Sequence, residues 1–157
     1  MSRRLLLSCG EASGDLYAGA LVRELRALSP DIDVSGLGGP EFARAGGRVL
    51  VDFRGLSVTG FTEIVGKVPQ LRAARARLLE DVRQKRVDAL VVIDYYGFNG
   101  QLARDAHALG LPVIHYISPQ IWAWPRCAGI WTRATSPWFA TVWARPCRPP
   151  LPSVQFR

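Results

Sequence analysis

Short, almost continuous apolar runs alternate along this chain with segments whose apolar residues recur every three or four positions. Arg4 to Cys9, with Leu5, Leu6 and Leu7 at its centre, predicts a strand covered on both faces. Asp15 to Leu28 predicts a helix with an apolar stripe at Leu16, Ala20, Leu21, Leu25 and Leu28, which Pro30 stops. Asp33 to Leu37 is a second strand, ended by GLGGP. Glu41 to Ala45 has room for a helical turn or two before an extended piece, Arg48 to Val51. In GLSVTGFTEIVGKVP, Gly55, Gly60 and Gly66 favour a loop with short helical pieces. Leu71 to Gln84 is a helix, apolar at Leu71, Ala74, Leu78, Leu79 and Val82. DALVVID, Asp88 to Asp94, is the strongest strand signal. A helix over Gln101 to Leu109 follows, and then the strand LPVIHYI, Leu111 to Ile117. The alternation predicts an α/β fold, a Rossmann-like parallel sheet with helices on both faces.

In such sheets the ligand crevice lies beyond the carboxyl ends of the strands, so the residues there carry the functional question. SCGEASGD, residues 8 to 15, follows the first strand. Its glycines permit a sharp turn and close approach of a ligand, and the free amides of the next helix can hold an anion or hydroxyls. A plain turn capped by Ser13 or Asp15 explains the same eight residues equally well. Asp94 ends the fourth strand, with Tyr95, Tyr96, Phe98 and Asn99 beside it, and SPQIWAW follows the fifth. Aromatic faces beside carboxylates and amides suit a sugar or another amphipathic ligand, and a carboxylate at a strand end can act as a general base toward a hydroxyl. The alternative is that Asp94 caps the next helix and the tryptophans are core.

Charge changes the picture only once it is located. The net charge of +7 owes five arginines to the 33 residues from Pro125 onward, which hold no acid, so Met1 to Trp124 is nearly neutral and offers no nucleic-acid face. Cys9, Cys127 and Cys147 are too scattered for a disulfide framework or a zinc site, and His107 and His115 stand alone. No run reaches the roughly 18 apolar residues of a membrane span, and the start is too quickly polar for a secretory signal. A cytoplasmic protein is expected.

Five motifs occur together: GEASGD (10–15), GLGGP (36–40), VTGFTEIV (58–65), IDYYGFN (93–99) and HYISPQIWAW (115–124). In order and spacing they resemble the lipid-A-disaccharide synthases, over about Leu5 to Trp124. The resemblance implies the N-terminal half of an inverting GT-B glycosyltransferase. Such an enzyme joins UDP-2,3-diacylglucosamine, the donor, to 2,3-diacylglucosamine 1-phosphate, an acylated glucosamine phosphate acceptor, and releases UDP. It implies no metal and no other cofactor. Asp94 falls on the family's aspartate and is expected to be the general base toward the acceptor 6-hydroxyl. Glu11, Ser13, Gly14 and Asp15, then Glu63, Phe98 and Asn99, and then Ser118, Gln120 and Trp122 match the segments that line the substrate cleft. Tyr96 departs from the proline or short turn residue usual in the family.

An acylated substrate is drawn from a bilayer, so a peripheral position on the inner membrane is expected. Val58, Phe61, Ile64 and Val65 beside Lys67, Arg72, Arg75 and Arg77 offer the apolar and basic pairing of such a surface. Ordinary packing below a solvated helix face explains that segment equally well. Residues 125–157 break the pattern: six of the eleven prolines and three of the five tryptophans fall there, with no clean period. An acceptor-binding domain over 1–124 followed by an irregular tail, in the manner of a shifted reading frame, is the expectation, with an evolved extension as the alternative. A chain of this kind lacks a donor domain and is expected to be inactive alone. The rival function is a stand-alone lipid- or sugar-phosphate-binding module; a nucleotide-binding Rossmann protein is disfavoured because no G-x-G-x-x-G follows the first strand.

Overall fold

A computed structural model describes residues 3–56 and 61–117, the side chains of 61–65 and 96 excepted. Five strands form one sheet: β1 (Arg4–Cys9), β2 (Asp33–Gly38), β3 (Arg48–Asp52), β4 (Ala89–Ile93) and β5 (Val113–Ile117). Their order is β3-β2-β1-β4-β5, and every neighbouring pair is parallel. The Rossmann-like sheet read from the alternation is therefore the fold. The expected tail over 125–157, and Ser118, Gln120 and Trp122, lie outside the described residues.

The two-residue period of the strands builds two cores. Leu6 of β1 and Leu90 and Val92 of β4 point to one face, where Ala74, Leu78 and Leu79 of α3 (Phe61–Arg83) and Leu102 and Ala106 of α4 (Tyr96–Ala108) cover them. Leu7, Cys9, Val91 and Ile93 point to the other face. There Ala18 and Val22 of α1 (Ala12–Leu28) and Phe42 of α2 (Pro40–Arg44) cover them. A continuous apolar strand is needed because both faces are buried. The edge strand β5 is different, since Ile114 and Tyr116 are exposed.

Three sequence expectations are corrected. The apolar stripe assigned to α1 is only partly its buried face: Leu21 and Leu25 pack against the core, but Leu16 and Leu28 are 60% and 84% exposed, and Gly14, Asp15, Ala18, Gly19 and Val22 are the buried residues. Small residues let this helix lie close to the sheet, and periodicity weighted by hydrophobicity overlooks them. From Phe61 onward the segment before Leu71 is not a loop with short pieces, because α3 runs unbroken from Phe61 with Pro69 inside it, while residues 57–60, Val58 among them, lie outside the described residues. Proline removes one intrahelical hydrogen bond and Gly66 costs about 1 kcal/mol, and the packing of α3 on the sheet and on α4 outweighs both. Helices α1 and α4 also begin earlier than Asp15 and Gln101, at Ala12 and Tyr96.

Two features fix the register on the left of the sheet. Gly36 pairs with Leu7 at φ +154°, beside a bulge in the β2–β3 pairing, and a Cβ there would overlap the Leu7 carbonyl. Asp15, 2% exposed, accepts backbone hydrogen bonds from Gly39 (2.8 Å), Glu41 (2.9 Å) and Phe42 (3.1 Å). Its carboxylate thus closes the start of α2, where no residue of that helix supplies a side-chain cap. An anion suits a helix start, and the bonds from Gly39 and Phe42 are buried.

Gly36→Ala should lower stability by about 3 kcal/mol or more in chemical denaturation, since a backbone carbonyl must move to admit the methyl group. A change within about 0.5 kcal/mol contradicts the β1–β2 register. Asp15→Ala should cost a similar amount, about 3 kcal/mol, by leaving buried amides without an acceptor. Hydrogen exchange is the check, and the amides of Gly39, Glu41 and Phe42 should lose protection before those of β1 and β4; retained protection there contradicts the clamp.

Candidate functional site

Strand order places a topological switch between β1 and β4. The chain leaves β1 toward β2 on one side and returns as β4 on the other, so the connections diverge and a crevice opens at the carboxyl ends of these two strands. Cys9 pairs with Ile93 at the last rung, and the residues that follow each strand therefore face one another. After β1 come Gly10 and Glu11; after β4 come Asp94 and Tyr95. Both α1 and α4 start here, and neither has a side-chain cap on its first amides.

Asp94 is exposed and carries φ +45°, and Tyr95 follows at φ +50°. Two successive left-handed residues that are not glycine are costly, on the order of 1–2 kcal/mol each. Asn99 holds them. Its side-chain nitrogen donates to the carbonyls of Asp94 (2.8 Å), Ile93 (3.1 Å) and Ser8 (3.2 Å), and its oxygen accepts from the Ser8 hydroxyl at 2.6 Å. Asn99 is fully buried, so one amide ties the end of β1 to the turn after β4. Tyr96 is the first residue of α4. Proline is welcome at that position because its amide has no helical partner, so the departure noted above leaves the helix start intact.

The site residues expected from sequence sort into two groups. Glu11, Ser13 and Asp94 are exposed, beyond the carboxyl ends of β1 and β4. Gly14, Asp15, Phe98 and Asn99 are buried. A Cβ built on Gly14 would stand only 3.2 Å from Cys9 Cβ, so glycine suits the close approach of α1 to the end of β1; Asp15 closes α2, Asn99 closes the Asp94 turn, and Phe98 packs in the core beside the Tyr95 ring at a centroid distance of 5.9 Å. Glu63 falls within α3, with its side chain outside the described residues.

Tyr95, noted from the sequence beside Asp94, was not among the residues expected to line the substrate cleft. Its ring lies over Gly10, leaving no room for a side chain there, and so joins the β1 turn to the β4 turn. Burial, and then the charge of Glu11, raise its phenol above the ordinary tyrosine range, so it stays protonated and able to donate at neutral pH. The sequence signal was an aromatic residue directly after a strand-ending aspartate, opposite a glycine. Cys9 is no nucleophile. Burial, and then Asp15, push its thiol up to about 12, and it donates to the Leu37 carbonyl at 3.4 Å.

Among the described residues no cluster of histidine, cysteine and carboxylate side chains could hold a metal ion. Nor is any described helix long and apolar enough to cross a membrane. The arrangement can bind hydroxyl or anionic groups at two helix starts and can offer a carboxylate as proton acceptor.

Comparison with known proteins agrees with this geometry. The lipid-A-disaccharide synthetase family matches residues 5–130. The chain is 41% identical over 124 residues to the lipid-A-disaccharide synthase of Koribacter versatilis (strain Ellin345) and 42% identical over 123 residues to that of Myxococcus xanthus (strain DK1622). Each match covers 78% of this chain and 32% of the relative, so the chain spans about a third of the length of these curated relatives. Its fold is similar to that of the glycosyltransferase SnogD from Streptomyces nogalater, with a TM-score of 0.51 at 23% identity over 91% of this chain and 43% of that one. The motifs, the strand order and the family match together establish that this chain belongs to the lipid-A-disaccharide synthase family.

Proposed function

We propose that residues 1–124 are the acceptor-binding half of a lipid-A-disaccharide synthase, with Asp94 as its general base. The observation that carries this reading is the placement of Asp94: an exposed carboxylate at the switch point, on a turn that Asn99 holds in a costly conformation. Strain kept at a crevice suggests that the carboxylate's direction matters. In the proposed step Asp94 takes the proton of the acceptor 6-hydroxyl as that oxygen attacks the anomeric carbon of UDP-2,3-diacylglucosamine. The bond from that carbon to the UDP oxygen breaks on the opposite face, and UDP leaves with the electron pair.

The exposed Glu11 and Ser13 are assigned to hydroxyls of the acceptor, with Glu63, Ser118, Gln120 and Trp122 completing the cleft. Gly14, Asp15 and Asn99 serve by holding the loops. Transfer also requires a donor site that fixes the UDP group, since positioning of both reactants supplies much of the rate. The relatives extend well beyond the matched region, and we assign the donor site to that part. The enzyme works at the cytoplasmic surface of the inner membrane, with α3 toward the lipid.

The test joins this chain to the part of the Myxococcus xanthus protein that follows the matched region. The fusion should form disaccharide from the two acylated substrates, whereas the 157-residue chain alone should give none above background. In the fusion, Asp94→Ala should lower kcat on the order of 10²-fold or more with acceptor binding retained. Near-normal turnover of that variant removes Asp94 from the mechanism, and turnover by the chain alone removes the need for a separate donor domain.

A further inference from the structure

Beside the Asp94 turn, between α3 and α4, lies a cavity of about 530 Å³. Val68 and Leu71 of α3 wall it on one side, and Tyr95 and Phe98 wall it on the other. That volume lies within the roughly 300–1,000 Å³ of small-molecule sites, and the lining is mostly apolar, as theirs is.

Two arginines border it, and they differ. Arg75 is committed, with its guanidinium donating to Gln101 Oε1 at 2.5 Å and pairing with Asp105 at 3.4 Å. Arg72 is exposed and makes no hydrogen bond or ion pair among the described residues. An apolar chamber with one uncommitted cation at its border matches an amphiphile of one kind: an apolar tail inside and an anionic head on the guanidinium.

We propose that this cavity takes a single acyl chain of a phosphorylated lipid, with Arg72 as counter-ion to the phosphate. The Tyr95 ring is shared between the cavity and the Asp94 turn, so the chain in the cavity sets the distance of its sugar from the carboxylate. The proposal deepens the acceptor-site reading and rests on it for the identity of the natural lipid. The chemistry of the cavity can be tested without catalysis.

Gly97 supplies the key variant. It borders the cavity, and a Cβ built there meets nothing within 4 Å, so a side chain can start there in open space; Gly97→Leu adds bulk at the cavity's border and suits α4 better than glycine does. Binding of 12-carbon lysophosphatidate, kept monomeric, is measured calorimetrically on the 157-residue chain. We expect one saturable site, with affinity falling roughly four-fold for each methylene removed from the tail. Monolauroylglycerol, with the same tail and no charge, should bind at least five-fold more weakly, and Arg72→Gln should abolish that difference. Gly97→Leu should weaken both ligands ten-fold or more while its circular dichroism and melting temperature match the parent.

Several results overturn the proposal: no saturable binding, equal affinity for the charged and uncharged ligands, indifference to Gly97→Leu, competition by inorganic phosphate alone, or binding only to phosphatidylglycerol vesicles. Loss of the cavity claim with Asp94 still essential in the fusion would leave the acceptor-site reading standing, and the reverse pair of results would leave a lipid site without that catalytic role.

Discussion

The side-chain amide of Asn99 is the interaction on which the crevice depends. Hydrogen-bonded groups inside a low-dielectric core are firm when all are satisfied and costly when one is lost. Asn99 is fully buried and spends its donors and its acceptor on Ser8, Ile93 and Asp94. It therefore holds two strand ends at a fixed separation and keeps two left-handed residues in place. Asp15 does the corresponding work between α1 and α2. With the loops fixed from below, the exposed Glu11, Ser13 and Asp94 need make no contacts of their own to stay in position.

This division of labour explains why a family motif mixes exposed and buried polar residues. GEASGD contributes Glu11 and Ser13 to the crevice and Gly14 and Asp15 to packing, and IDYYGFN contributes Asp94 to the crevice and Asn99 to the clamp. A motif residue can serve a site without touching a ligand. The two turns are further packed against each other through the Tyr95 ring on Gly10.

Much of this was legible in the sequence, for identifiable reasons. The strands announced themselves because burial on both faces demands unbroken apolar runs, and β1 falls where Leu5, Leu6 and Leu7 placed it. Asp94 could be read from its strand end either as a base or as the cap of the next helix, and only the motif set it apart; its side chain does not cap α4. The buried face of α1 was read only in part, at Leu21 and Leu25, because close helix–sheet packing selects glycine and alanine, which carry little hydrophobic signal, while exposed Leu16 and Leu28 carry much. The first half of α3 was missed because Pro69 and Gly66 are local breakers, and the packing that overrules them is tertiary. Nothing local told that Asp15 caps a helix 24 residues away, or that Asn99 reaches back 91 residues to Ser8.

The most direct measurement is the backbone conformation of Asp94 and Tyr95 in the isotopically labelled chain, with and without the Asn99 amide. Carbon chemical shifts and amide-to-α couplings distinguish left-handed from right-handed or extended residues. The account predicts left-handed values at both positions in the parent chain. In Asn99→Ala it predicts their loss, with the amides of β1, β2 and β4 still protected from exchange. Left-handed values that persist in Asn99→Ala, in a chain whose sheet is intact, would show that the turn holds itself and that Asn99 is not what fixes the crevice.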